Sequence, residues 1–247
     1  NHLVWSRSRD YGHTWEPLQV IPMPIPGSAE AAGPMCVTRA GDFVCCYAPY
    51  NTFDPAVKVD KNQVVCLASR DQGRTWSHNS MFRFPQPESL GAESWVIELA
   101  DGRLLGTGWH ICGDQSMSNA YAISRDSGRT WGPTRATGTL GQSTGLGALP
   151  DGRAAFVYNQ RKHGTVGVWL GIADPTDQDF GLLANEPVWK AETAVQQAGS
   201  TADFKNWTNF AFGEPSATAL PDGSILVTFW VAQPSGHGIR YVKLRLE

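Results

Sequence analysis

Ser124-Arg125-Asp126-Ser127-Gly128-Arg129-Thr130-Trp131 is spelled three times in this chain. Ser69-Arg70-Asp71-Gln72-Gly73-Arg74-Thr75-Trp76 repeats it, and Ser8-Arg9-Asp10-Tyr11-Gly12-His13-Thr14-Trp15 is the first copy. The common pattern is S-R-D-x-G-x-T-W. Its aspartates lie 61 residues apart (10 to 71) and then 55 (71 to 126), a recurrence that suits one small sheet per repeat. The chemistry of the octet is that of a turn. Asp accepts hydrogen bonds from backbone N–H groups further along, Gly supplies a positive φ, and the Trp folds back to bury apolar surface. An Asp-Gly pair could also bind a metal or a phosphate, but a site is usually built once and a folding unit repeatedly.

Outward from the octets, each copy follows a strand-like run: Leu3–Ser6, Val64–Ala68 and Tyr121–Ile123. A second repeated feature is a strand, an Asp-Gly turn and a returning strand. Glu93–Leu99, Asp101-Gly102 and Leu104–Trp109 show it, as do Gly145–Leu149, Asp151-Gly152 and Ala154–Tyr158. Pro215–Leu220, Asp222-Gly223 and Ile225–Trp230 form the last such pair, and Met35–Thr38 with Phe43–Tyr47 turns at Gly41-Asp42. The fourth octet has decayed to Ile172-Ala173-Asp174-Pro175, leaving Trp189 as its anchor. Each unit reads as an antiparallel meander of four strands, A to D, with Asp-Gly at the A–B turn and the octet at the C–D turn.

Four-stranded sheets repeated in this way are the blades of a β-propeller. The expectation is an all-β propeller forming a single domain over residues 1–247. Two outer strands at the start and three strands at the end do not complement one another. The count therefore places about 80 residues, one blade and a half, before Asn1.

Composition sets the remaining bounds. The chain has 247 residues, 41% hydrophobic and 17% charged, a globular profile with ample material for a core. A net charge of −3 without a basic run gives nucleic acid no electrostatic footprint. No apolar run reaches membrane-span length, and the first residues form no signal-peptide pattern. The five cysteines fit no zinc or redox spacing and read as buried free thiols, and no metal or cofactor motif is present. Asn206-Trp207-Thr208 is a glycosylation sequon only in a chain secreted by a eukaryote.

The octets resemble the Asp boxes, or BNR repeats, of the sialidase superfamily, whose members are six-bladed propellers. Glu93-Ser94-Trp95-Val96-Ile97-Glu98-Leu99-Ala100-Asp101-Gly102-Arg103-Leu104-Leu105 resembles the sialidase run in which a Glu opens a strand that ends in an Asp-Gly-Arg-Leu turn. The resemblance implies a glycosidase, with Glu93 as the base that activates a tyrosine nucleophile. It also implies an arginine for substrate carboxylate at the end of strand B, where this chain has Trp109. A secreted or periplasmic location is compatible with the resemblance.

In an A-B-C-D meander the A–B and C–D turns share one face, so a site belongs on the other. Glu93, Asp101 and Trp109 stand at intervals of +0, +8 and +16, and Glu214, Asp222 and Trp230 repeat them. Glu93 and Glu214 are therefore the candidate catalytic carboxylates, or else caps of backbone N–H groups. Gly33 and Ser143 are the corresponding strand-A starts elsewhere. Trp109 and Trp230 are candidate sugar-stacking surfaces, or interblade packing. His110 follows Trp109 and opens a loop, while Tyr158, Arg161 and Arg240 should border the same face. Arg161 and Arg240 would bind an anionic group, and the loop Asn51–Lys61 would form the rim. The expected function is hydrolysis of a glycan or glycoside, by attack at an anomeric carbon with Glu93 as base. The alternative is a propeller that binds glycans, or another protein, without turnover.

Overall fold

Short apolar runs set between Gly-bearing turns leave almost all of the chain in strands. The computed structural model describes every residue except Phe53 and Glu247. Strands β1 (Val4–Trp5) and β2 (Gln19–Val20) form a two-stranded sheet. In the next sheet β3 (Ser28–Glu30) and β4 (Cys36–Val37) both pair with β5 (Phe43–Tyr50), followed by β6 (Gln63–Ser69) and β7 (Ser77–Arg83). A third sheet holds β8 (Ser89–Glu98), β9 (Leu104–Cys112), β10 (Gln115–Ser116), β11 (Ala120–Ser124) and β12 (Arg135–Ala136). The fourth runs β13 (Gln142–Ala148), β14 (Ala154–Gln160), β15 (Gly167–Ala173) and β16 (Leu182–Lys190). The last comprises β17 (Phe212–Ala219), β18 (Ile225–Gln233) and β19 (Gly236–Leu244). Every pairing is antiparallel. The single helical turn among the described residues is a 3₁₀ segment, Phe204–Asn209, which is too short to cross a membrane.

Strands of successive sheets lie side by side, β5 and β13 against β8 and β17 against β13, so the sheets radiate as the blades of a β-propeller. Glycine makes this approach possible. A Cβ on Gly145 would overlap the carbonyl of Pro215, and one on Gly147 would reach that of Ala217. The core lies between blades. Val44, Val64, Phe82 and Phe84 meet Val96 and Leu104, while Leu105, Tyr121 and Leu146 meet Phe156. Each such side chain contributes roughly 1.5–3 kcal/mol by leaving water.

The octets form near-identical turns. In the second, Asp71 accepts the Thr75 N–H (2.8 Å), the Thr75 hydroxyl (2.6 Å) and the Ser69 hydroxyl (2.8 Å). Gly73 N–H donates to the same Ser69 hydroxyl at 2.7 Å. Both central residues of each turn have positive φ: 60° and 90° at Tyr11-Gly12, 61° and 87° at Gln72-Gly73, 57° and 80° at Ser127-Gly128. That is a type I′ turn, whose twist matches the flanking strands. Burial of the Trp is less uniform than the pattern suggests. Trp15 is 64% exposed, whereas Trp131 packs on the core beside Cys66. All five cysteines are free, with Cys45, Cys46 and Cys66 buried.

Several boundaries differ from the sequence reading, and two of the differences reach the site. The Pro-rich connector 22–34 contains β3, which lengthens β5 to Tyr50. Strand β8 begins at Ser89, so Glu93 lies within the strand instead of opening it.

Candidate active site

The innermost strands share an irregularity at equivalent places. Ala92 pairs with Trp109 and Trp95 with Thr107, leaving Glu93 and Ser94 opposite Gly108 alone. In β13 the extra residue is Ser143, between Gln142 and Thr144, and in β17 Glu214 and Pro215 face Phe229 alone. These are β-bulges, and their leading residues are left-handed: φ is 48° at Glu93, 55° at Ser143 and 47° at Glu214. A side chain in that conformation costs about 1–2 kcal/mol, so three in register mark strain of the kind that collects at functional sites.

Contacts from both neighbouring blades hold the Glu93 bulge. Its N–H donates to Glu30 Oε2 at 3.0 Å, and its carbonyl accepts the Thr144 hydroxyl at 3.1 Å. Glu30 was not among the residues picked out by sequence. Its blade splits the inner strand into β3 and β4, which breaks the +8 interval that flagged Glu93 and Glu214 and pointed to Gly33 instead.

Glu30, Glu93 and Glu214 line a cleft of about 1160 Å³ with Arg161, Trp109 and Trp230. Tyr50, Phe204, Trp207 and Phe210 complete its aromatic walls, and Asn51 and Thr52 line it from the start of the 51–61 loop. Phe53 in that loop lies outside the described residues. No residue of an octet or an Asp-Gly turn lines the cleft.

The electrostatics are those of carboxylates crowded in low dielectric. Burial raises the Glu93 pKa, and the neighbouring charge of Glu214 raises it further. Arg161 opposes both, and the Ser143 hydroxyl stands beside the carboxylate without completing a hydrogen bond. Burial likewise raises Glu30 to about 7, against the hydrogen bond from Glu93 N–H. Arg161 is 4% exposed, and burial lowers its pKa while the two glutamates support its charge. Its guanidinium donates to Gln142 Oε1 at 3.2 Å and to the Phe212 carbonyl, and lies 3.8 Å over the Phe210 ring. Gly213 makes room for this packing. A Cβ there would stand 2.9 Å from both Arg161 Nη2 and the Trp230 indole nitrogen. Glu93 Oε2, Ser143 Oγ and Arg161 Nε are all buried without a partner among the described residues. The carboxylates form no metal-binding cluster among those residues.

Five of the eight residues singled out by sequence thus meet at one cleft: Glu93, Glu214, Trp109, Arg161 and Trp230. Trp109 is both wall and core, 2% exposed and edge-on to Phe204 at 5.7 Å. The other three lie elsewhere. Strand β9 runs on through Cys112, so His110 faces the side opposite Trp109, stacked on Phe84 at 4.1 Å and 3.0 Å from the Ser89 hydroxyl. Tyr158 points into a blade, bonded to Asn185 at 3.0 Å. Arg240 is exposed on β19, opposite Phe229.

The segment carrying Phe204 and Trp207 is firmly tied. Lys205 pairs with Asp114 at 2.7 Å, Lys162 pairs with Asp203, and Gln142 donates to the Ala202 carbonyl at 2.7 Å. No sequence periodicity pointed to it, because it belongs to a connector between blades.

The BNR repeat-like domain family matches residues 1–209. The chain belongs to that family. No curated protein matches this BNR-repeat chain by sequence. A Dyadobacter fermentans protein of unknown function is 23% identical with a TM-score of 0.74, over 98% of this chain and 63% of that one. The NanB sialidase of Streptococcus pneumoniae is 19% identical with a TM-score of 0.63, over 98% of this chain and 35% of that one. An α-L-arabinanase of Penicillium chrysogenum, complexed with arabinobiose, is 16% identical with a TM-score of 0.60, over 99% and 73%. At such identities the likeness establishes the β-propeller fold. The BNR-repeat chain spans less than two thirds of the first two neighbours.

Proposed function

We propose that this BNR-repeat protein hydrolyses glycosidic bonds in the cleft above Glu93, within a propeller of six blades. The observation that carries the reading is the Glu93 carboxylate. It is half-buried with its Oε2 out of reach of solvent, held in a strained bulge by two neighbouring blades, and set beside the charge of Glu214. A carboxyl group that keeps its proton beside a second carboxylate is what glycoside hydrolysis requires. Glu93 holds the proton and delivers it to the leaving oxygen as the C–O bond breaks. Glu214 is exposed to the cleft and faces the anomeric carbon, as nucleophile or as base for an attacking water. The anomer formed first distinguishes those two courses.

The family resemblance makes Glu93 the base for a tyrosine. Tyr50 is the tyrosine lining the cleft among the described residues, but burial and the charges of Glu30 and Glu93 push its phenol up, against forming a phenolate. That favours a carboxylate in the nucleophile's place. Solved neighbours named as a sialidase and as an arabinanase with arabinobiose bound support a glycan substrate.

A second reading, glycan binding without turnover, is favoured by the aromatic walls and by Trp109 in the place of the sialidase arginine. Assaying the full-length protein on a panel of glycosides, beside Glu93→Gln, separates the two. Turnover that Glu93→Gln abolishes supports the hydrolase, and binding without turnover supports the second reading.

A further inference from the structure

We infer that the cleft selects uncharged sugars and excludes those bearing a carboxylate. The inference rests on the reading of the cleft as a glycan site and names the substrate class.

Recognition of a sugar carboxylate needs cationic donors free to form a fork. Arg161 is the only arginine or lysine among the described residues that line the cleft. Two of its donors are taken by Gln142 Oε1 and the Phe212 carbonyl, its Nε is buried without a partner, and the Phe210 ring covers one face of the guanidinium. At 4% exposure it serves the protein and not a ligand. Lys162, next to Arg161 in sequence, and Lys205, next to Phe204, pair with Asp203 and Asp114.

Against that single guanidinium stand Glu214, Glu30, which is ionised above about pH 7, and Glu93, which holds its proton. A substrate carboxylate brought beside Glu214 and an ionised Glu30 meets like charge. The remaining surface suits a neutral ring. Trp230 and Trp207, the latter 64% exposed, offer indole surface to the cleft, while Trp109 is packed into its wall. Aromatic faces pack on sugar C–H groups, and carboxylate oxygens accept from sugar hydroxyls.

The test uses the full-length protein and substrates that differ only in the acid group: umbelliferyl glucoside against glucuronide, galactoside against galacturonide, with a sialoside alongside. The same sugars are offered in a direct binding measurement. The uncharged member of each pair is expected to lead by at least about 100-fold in kcat/KM or affinity. Equal or better handling of the acidic members overturns the inference and leaves the hydrolase reading standing. Binding of neutral sugars without turnover upholds the inference and overturns the hydrolase. Neither binding nor turnover overturns both. Measured at pH 8, where Glu30 is ionised, Glu30→Gln removes one of the repelling charges and is expected to narrow the preference about tenfold, and an unchanged ratio would overturn the charge-based account.

Discussion

The backbone N–H of Glu93 donates to the carboxylate of Glu30 across 3.0 Å, from one blade to the next. A strained residue of the third sheet is thus held by an acid of the second, and both side chains line the same cleft. Through this contact the local sequence of two blades determines the geometry of one candidate catalytic group.

Stability should depend on pH in a direction this contact sets. The folded-state pKa of Glu30 is raised from 4.5 to about 7, so its contribution is fully present below pH 4.5 and is lost as pH rises through about 7. Burial of Glu93 acts in the same direction. Thermal unfolding should show Tm falling between pH 5 and pH 8, with Glu30 accounting for a loss of up to roughly 3 kcal/mol in stability. Glu30→Gln should flatten that slope, and an unchanged slope would locate the effect elsewhere.

Much of this architecture is legible in the sequence because its signals are local. Asp71, Gly73 and Thr75 complete their turn within a few residues, and the equal spacing of Glu93 and Glu214 from their Asp-Gly turns reports an equal place in the blade. Glu30 is illegible for the opposite reason. Its inner strand is interrupted between β3 and β4, and only the fold brings it to Glu93. His110 was misplaced by a strand end: with β9 continuing to Cys112, alternation turns it away from the cleft beside Trp109. Phe204 and Trp207 reach the site through a tied connector that has no periodicity to read.

The scaffold role of the octets predicts loss of stability without loss of chemistry. Asp126 accepts from Thr130 N–H (2.8 Å), the Thr130 hydroxyl (2.7 Å) and the Ser124 hydroxyl (2.9 Å). Asp126→Ala should destabilise by about 1–2 kcal/mol in denaturant titration, with kcat unchanged. Ser127→Gly, at φ 57°, should instead stabilise by up to about 1 kcal/mol, since glycine accepts that conformation without strain.

Gly213 links packing to the site. In Gly213→Ala the new methyl would press on Arg161 and on the Trp230 indole, both of which line the cleft. Overpacking of this kind costs about 1–3 kcal/mol, and glycan affinity should weaken with it. Calorimetry for stability and a binding isotherm for affinity read the two effects separately.

The most direct test of Glu93 as proton donor is the rate of sugar release by the full-length protein and its Glu93→Gln variant, on the best uncharged glycoside and at matched folded fraction. The account predicts turnover by the wild type and a loss of about 100-fold or more in kcat for Glu93→Gln. A Glu93→Gln variant that releases sugar at the wild-type rate would contradict it.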